Sequence, residues 1–579
     1  MKLSPSVWRG RGICVFPQSI LLMALIVLKA EARPVTSDRE QGASARGLAR
    51  EMSCAALWQG RFEEAKAWRD PLADEGIFDL PPTAQLLTEG GDARIVCGAT
   101  GVNRYGCSAL PDAEVRAYGS STASTISHAG FAAADALRTR LRDAWEKPAD
   151  TYERELDRMR GELATLCGVD ELAGLEIIFG ASGTDLHLFA SQLMVDTRLP
   201  APVIVRVESV ETGRGVPDAL AGRHFSDCAA LGDKVIANVP LDCGRPIEIC
   251  EVKCRTADGS LRPAASVDAE VAEAVARAAA AGRRVLITLV DVSKTGVLAP
   301  SPACVAALQD RFPEAVEVLV DACQFRLAPA TLKAYLEHDF MVAITGSKFI
   351  TGPTFCGALF VTAAVAQRMR ARALPRALKS YSSRADWPRH WAARDALNPV
   401  ANYGLLLRWE AALAEMRAFR QLPETAVAGF LATFAQAMTE HLSRSPAFEL
   451  MPTPVIDRGE FGSPKSWDRI PTIFTFLLRR TASVKPAWLN PDETKKVHEL
   501  LREDVRHLPG GAHLPTHCQL GQPVNGGTRE GAPVHALRLC ASSRLIVDAL
   551  SPMGHGPDAV IADAIATLDK AAFLAAEAI

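Results

Sequence analysis

Three short stretches, each at the end of an apolar run, hold the residue types best suited to chemistry. Lys348 lies in Thr345-Gly-Ser-Lys-Phe-Ile-Thr-Gly-Pro353, just after Met341-Val-Ala-Ile-Thr345. An amine held away from water in a Gly/Pro-shaped loop can form an imine with a carbonyl, although a lone lysine reads more simply as a solvated loop residue. Asp321 closes the run Val316-Glu-Val-Leu-Val320, where a charge needs a partner, from a helix cap or ion pair if not from a ligand. Ser182-Gly183-Thr184 follows Leu175-Glu-Ile-Ile-Phe179 and precedes a helix-like segment. Glycine there admits a close approach, and free helix N–H groups with two hydroxyls suit an anion. The same turn also reads as an ordinary N-cap. It is not a G-x-S-x-G nucleophile elbow, since Thr184 stands at the last glycine, and it lacks the Gly-Lys-Ser/Thr of a nucleotide P-loop.

Together the three stretches suit an aromatic aldehyde carrying a phosphate: hydroxyl turn for the phosphate, Lys348 for the aldehyde, Asp321 for a protonated ring nitrogen. That molecule is pyridoxal 5'-phosphate.

The elements between them alternate. Strand candidates at 175–179, 203–207, 285–290, 316–320 and 341–345 are separated by helix-like segments, among them Ser266–Ala281, with Val267, Val271 and Val275 on one face, and one beginning at Ser301-Pro302. This order predicts an α/β fold with a large, mostly parallel sheet covered by helices on both faces. Ligands of such sheets bind beyond the carboxyl ends of the strands. Ser182, Thr184, Asp291, Asp321, Gln324, Thr345, Ser347 and Lys348 are the polar residues at those ends.

The stretch from about 175 to 365 resembles the fold-type-I pyridoxal-phosphate enzymes, most closely the class V aminotransferase and cysteine-desulfurase superfamily. Ser182-Gly-Thr-Asp185 resembles its phosphate-binding turn. Asp321-Ala-Cys-Gln324 resembles its D-x-x-Q, in which Asp faces the pyridine nitrogen and Gln the ring hydroxyl. Thr345-Gly-Ser-Lys348, with Gly352-Pro353 and Gly357-Ala-Leu-Phe, resembles its Schiff-base lysine segment, in which the hydroxyl three residues before the lysine touches phosphate. The Asp-to-Lys separation of 27 residues is also family-like. Ser293, in Val292-Ser-Lys-Thr-Gly296, matches more loosely a strand-end loop that contacts the cofactor. Ser347 stands where the family commonly has histidine. Glu208-Ser-Val-Glu-Thr-Gly213 has no aromatic where the family usually stacks one on the ring. The late segment His535-Ala-Leu-Arg538 resembles the family's substrate-carboxylate clamp, which a guanidinium fork suits; a surface ion pair is the alternative for Arg538.

The resemblance implies a homodimer acting on the amino group of a small-molecule amino acid or related amine. Lys348 and Asp321 would be catalytic. Ser182, Gly183, Thr184, Ser293, Gln324, Thr345 and Ser347 would contact the cofactor, and Arg538 the substrate. An aminotransferase is the first expectation. A desulfurase- or kynureninase-like carbon–sulfur or carbon–carbon lyase, or a noncatalytic protein retaining the fold, are the alternatives.

The chain has 579 residues, 48% of them hydrophobic, and a formal net charge of −3, enough for a large core and without the basic excess that nucleic acid requires. Its 14 cysteines form no CxxC pair, so free thiols in a reducing compartment are expected and no metal site. Lys2, Arg9 and Arg11, then Ile20–Leu28 and Ala30-Glu-Ala32, have the layout of a secretory signal, but the run is too short to span a bilayer. Residues 1–32 are read as a leader of a cytoplasmic protein, with export as the alternative. Residues 33–130 are expected near the active-site mouth or as structural loops, 131–395 as the cofactor-binding domain, and 396–579 as a smaller α+β domain. The segment around Trp387 and Trp391 reads as a linker or subunit contact.

Overall fold

The computed structural model describes residues 80–577, apart from 144–147, 242–245 and 482–486. The leader read over 1–32 lies outside the described residues. Thirteen strands are found among them: β1 (Val115–Tyr118), β2 (Glu176–Gly180), β3 (Val203–Val207), β4 (Glu248–Val252), β5 (Val285–Val290), β6 (Val316–Ala322), β7 (Met341–Thr345), β8 (Gly357–Val361), β9 (Phe448–Leu450), β10 (Ile473–Arg480), β11 (Ala487–Trp488), β12 (His517–Arg529) and β13 (Ala532–Cys540).

The large sheet runs β2-β8-β7-β6-β5-β3-β4. Pairs from β4 to β7 are parallel, and β8 runs antiparallel to both β7 and β2. Strands β3, β5 and β7 are buried at every position, as expected of continuous Val/Ile/Leu runs in a sheet covered on both faces. Successive residues serve opposite faces. Ile204 and Leu286 pack with Leu186, Phe189 and Leu193 of the helix Gly183–Met194. Val203, Val205 and Ile287 join the other core, with Val267, Val271 and Val275 of the helix Ala264–Ala280. Because β2, β3, β5, β6 and β7 share one direction, they all end at one edge. There Gly357, the first residue of β8, lies opposite both Gly180 and Thr345.

The second sheet has the order β1-β12-β13-β10-β11, with β9 also on β10. Its first strand comes from the segment before the large sheet and pairs in parallel with β12 near the end of the chain. That pairing leads the following residues inward, and Ser120, Ser121, Ser124 and Thr125 are buried.

The segment around Trp387 is not a linker. Trp387 and Trp391 are buried in the core beside the helix Gly183–Met194, where Trp387 meets Phe189 at 5.4 Å between ring centroids and donates its indole N–H to Ser382 at 2.9 Å. The two tryptophans are core anchors held beside short 3-10 turns, a context that Pro388 and the flanking charges disguise.

Asp291, at the end of β5, turns into the protein. Arg458 grips both its carboxylate oxygens at 2.7 Å, Tyr335 donates its hydroxyl at 2.7 Å, and both charged side chains are fully buried. Removing one member of such a pair strands the other charge. Arg458→Met should therefore lower unfolding stability by about 3–5 kcal/mol, measured by urea titration followed by tryptophan fluorescence. A change within experimental error would show that Asp291 finds another partner.

Candidate active site

Asp321 lies near the end of β6 with its carboxylate at the sheet edge. Oδ1 accepts the Cys323 backbone N–H at 3.1 Å, and Oδ2 lies 3.2 Å from Nε2 of His187. The other ring nitrogen of His187, Nδ1, is 2.7 Å from the Gly183 carbonyl. With Asp321 ionised, neither acceptor has a proton to give, so both contacts are satisfied at once only when both ring nitrogens carry one. The geometry selects the imidazolium. Burial alone would lower the His187 pKa, but the Asp321 charge and hydrogen bond outweigh it and the net shift is upward, against an opposing push from Lys348. Burial would likewise raise Asp321, yet His187, and then Lys348, hold it well below the usual carboxylate range. Asp321 is thus a buried, ionised acceptor.

The helix that carries His187 begins at the hydroxyl turn. Ser182 caps it, accepting the Asp185 backbone N–H at 3.4 Å while donating its hydroxyl to Asp185 Oδ2 at 2.5 Å. Gly183 meets the other motifs directly: a Cβ there would lie 2.7 Å from Cys323 Sγ and 3.3 Å from Thr345 Cγ2. Only glycine lets the turn come this close. Thr345 in turn donates its hydroxyl to the Cys323 carbonyl at 2.6 Å. The three motifs, scattered along the sequence, are therefore in contact. Lys348 is half-buried three residues beyond β7, and its charge is felt at Asp321, His187, Cys323 and Lys294.

Several buried polar atoms here lack a protein partner. Gln324 donates Nε2 to the Ser121 carbonyl at 2.9 Å, but its Oε1 has none, and neither have Ser121 Oγ, Thr212 Oγ1 and Asp185 Oδ1. Such atoms are costly unless something bonds them. Gln324 offers an acceptor, with the Ser121 hydroxyl close by. Together with the hydroxyl turn, the ionised Asp321 and the Lys348 amine, this donor set fits a molecule with a phosphate, a ring N–H and a ring hydroxyl.

Other expected residues are engaged differently. Ser293 is buried and donates its hydroxyl to Glu211 at 2.6 Å. Glu211 also takes Thr295 at 2.5 Å and Arg255 at 2.6 Å, so the segment after β3 presents a structural acid, not a ring-stacking aromatic. Ser347 is buried beside Lys348. Arg538 is buried and reaches Thr122 Oγ1 at 3.0 Å and the carbonyls of Lys294 at 3.0 Å and Gln522 at 2.6 Å. It makes no surface ion pair. Arg544 is bound to Glu415 at 2.8 Å. Sequence reasoning missed His187, Glu211 and Lys294. The signal for His187 was its place four residues after Gly183, one helical turn along the same face.

No family model and no curated protein matches the chain. Among solved structures it is similar to the cysteine desulfurase CsdA from Escherichia coli, at 12% identity over 79% of this chain and 94% of that one, with a TM-score of 0.46. It is similar also to a C-DES mutant with glycine covalently linked to the PLP cofactor, at 15% identity over 79% and 99%, TM-score 0.48. A NifS-like protein from Rickettsia africae is similar at 9% identity over 79% and 98%, TM-score 0.46. At these values the likeness assigns no role to any residue, and the site rests on its own geometry.

Burial pushes the Asp185 carboxyl up to about 7. An acid whose folded pKa exceeds its unfolded value binds extra protons in the folded state, so its contribution to stability is lost as pH rises from about 4 to 7. Asp185→Asn should leave stability at pH 4 nearly unchanged and raise it at pH 8 by on the order of 2–4 kcal/mol. Denaturant midpoints at the two pH values check this; an equal shift at both would remove the buried charge as the cause.

Proposed function

We propose that this chain is a pyridoxal-phosphate-dependent enzyme acting on the amino group of an amino acid or related amine, and that its reaction is transamination. The observation that carries the reading is the contact of Gly183 with Cys323 and Thr345. It brings the hydroxyl turn, the ionised Asp321 and the Lys348 loop into one site. In this reading Gly183 and Thr184 hold the phosphate, joined by Ser182 and Thr345 once their hydroxyls turn from Asp185 and the Cys323 carbonyl, with Gln324 for the ring hydroxyl, Asp321 for the ring N–H, and Lys348 for the aldehyde carbon. When bound, pyridoxal phosphate supplies an electron sink for a carbanion formed beside the substrate nitrogen.

The chain's own residues do the rest. Asp321, kept ionised by His187, would hold the proton on the cofactor's ring nitrogen. Lys348, the free amine of the site, would take the proton from the substrate α-carbon and return it elsewhere. Arg538, a buried cation whose hydrogen bonds all go to neutral oxygens, takes the substrate carboxylate and orients the carbon–hydrogen bond. The same guanidinium can serve an amino acid and then a keto acid, as transamination requires; a lyase would use it for the amino acid alone. A homodimer is proposed on the family resemblance alone.

Reconstituted protein should show the cofactor's visible absorbance and, after borohydride reduction, carry the label on Lys348 by peptide mass spectrometry. A label on another lysine would refute the assignment. With excess amino donor and no keto acid, the absorbance should bleach once and return when keto acid is added; sustained product release without keto acid would mean a lyase.

His187→Ala should keep the cofactor but lower kcat/KM by roughly ten- to a hundredfold, the scale of one charge-assisted hydrogen bond. The acid limb of the pH profile should also move upward, because Asp321 without its cation titrates closer to its ordinary range. An unmoved acid limb would detach His187 from Asp321's ionisation.

A further inference from the structure

The loop after β5 places a second amine beside the proposed substrate clamp. Lys294 donates Nζ to the Thr212 carbonyl at 2.9 Å, and its own carbonyl accepts Arg538 Nη1 at 3.0 Å. The charges of Arg538, Lys348 and Arg214 all act on it. The acid among these neighbours, Glu211, is already bound by Arg255 at 2.6 Å, Ser293 at 2.6 Å and Thr295 at 2.5 Å. The other acid, Asp321, is held by His187 at 3.2 Å. Arg538 is buried with Nε unpartnered, and the Thr212 hydroxyl beside Lys294 is unpartnered too. Burial, and then the Arg538 charge, bring the Lys294 pKa down to about 8, against an upward pull from Glu211. One carboxylate can neutralise Arg538, but it leaves Lys294 uncompensated.

We infer that the substrate is dianionic, an α-amino acid with a second acidic group on its side chain: Arg538 takes the α-carboxylate and Lys294, with the Thr212 hydroxyl, takes the side-chain anion. This rests on the reading of the site given above and adds the substrate class and a specificity-determining residue.

The test uses unreactive ligands on the full chain loaded with pyridoxal phosphate. Calorimetry compares succinate with succinamate, which has the same skeleton and one charge fewer. Succinate should bind at least tenfold more tightly. Lys294→Met should reduce that ratio to near one while cofactor absorbance and the Lys348 label persist, and Lys294→Arg should restore most of the preference. Equal binding of the two ligands to the loaded wild type, or an unchanged ratio in Lys294→Met, would overturn the inference and leave the cofactor assignment intact. Loss of cofactor loading in both Lys294 variants would overturn it also, by assigning Lys294 to the phosphate. Failure of the wild type to load on Lys348 would overturn the underlying reading, and this inference with it.

Discussion

A carboxylate at the buried edge of a sheet is stable only if a cation reaches it, and the imidazolium of His187 is that cation for Asp321. The rest of the site follows from the contact. His187 reaches Asp321 because the helix Gly183–Met194 starts against the loop after β6, and that start requires a residue without a Cβ at 183. The Gly183 carbonyl then fixes the ring from its far side at 2.7 Å. Helix position, ring protonation and carboxylate charge are therefore a single constraint, and the hydroxyl turn is brought to the site by the same packing.

Asp291 and Asp321 show how differently two similar residues can be used. They end or follow neighbouring parallel strands, and the Asp291 N–H donates to the Asp321 carbonyl at 3.0 Å. Asp291 is fully buried and bound by a bidentate arginine and a tyrosine hydroxyl, leaving little capacity for a ligand. Asp321 accepts one backbone N–H and one imidazolium, so lone pairs remain on its oxygens. Availability after neutralisation, rather than position at a strand end, separates the acid proposed to be functional from the structural one.

That distinction was not legible in the sequence, because Arg458 lies 167 residues from Asp291. The central strands were legible: β3, β5 and β7 are apolar at nearly every position because both faces are covered, and their predicted bounds hold. Strand β4 was missed because it is an edge strand with acidic residues at two exposed positions. The 13-residue β12 was missed because Gly521, Gly526 and Gly527 interrupt its alternation, where the register with β13 shifts at Gly521/Val524 and Asn525/Thr528. The motif spacing did place Ser182, Asp321 and Lys348 at one edge, since parallel strands admit no other arrangement of their carboxyl ends. The misreading of Trp387 and Trp391 has a related cause. Flanking Arg and Pro residues describe the exposed side of a short turn and say nothing of the side that packs.

The charges around the site are unevenly distributed, and this asymmetry has a physical consequence for any ligand. Three acids at the edge already have a cation, His187 for Asp321, Arg255 for Glu211 and Arg458 for Asp291, whereas Asp185 is bonded by the Ser182 hydroxyl. Arg538 and Lys294 instead bond neutral oxygens, and both have pKa values brought down by burial, Arg538 to about 10. A cation satisfied only by carbonyl and hydroxyl dipoles gains more from an anion than one already paired, because its desolvation has been met in the folded protein while its charge has not. Arg326 extends the pattern: buried above Phe349, it bonds Thr472, Ala541 and Ser120 through neutral oxygens. Its contacts join the segment after β1, the start of β10 and the end of β13. Preorganised positive charge therefore comes from Arg538 on β13 and from Lys294 and Arg326 on the loops after β5 and β6, and a ligand beside them is favoured in proportion to the negative charge it brings.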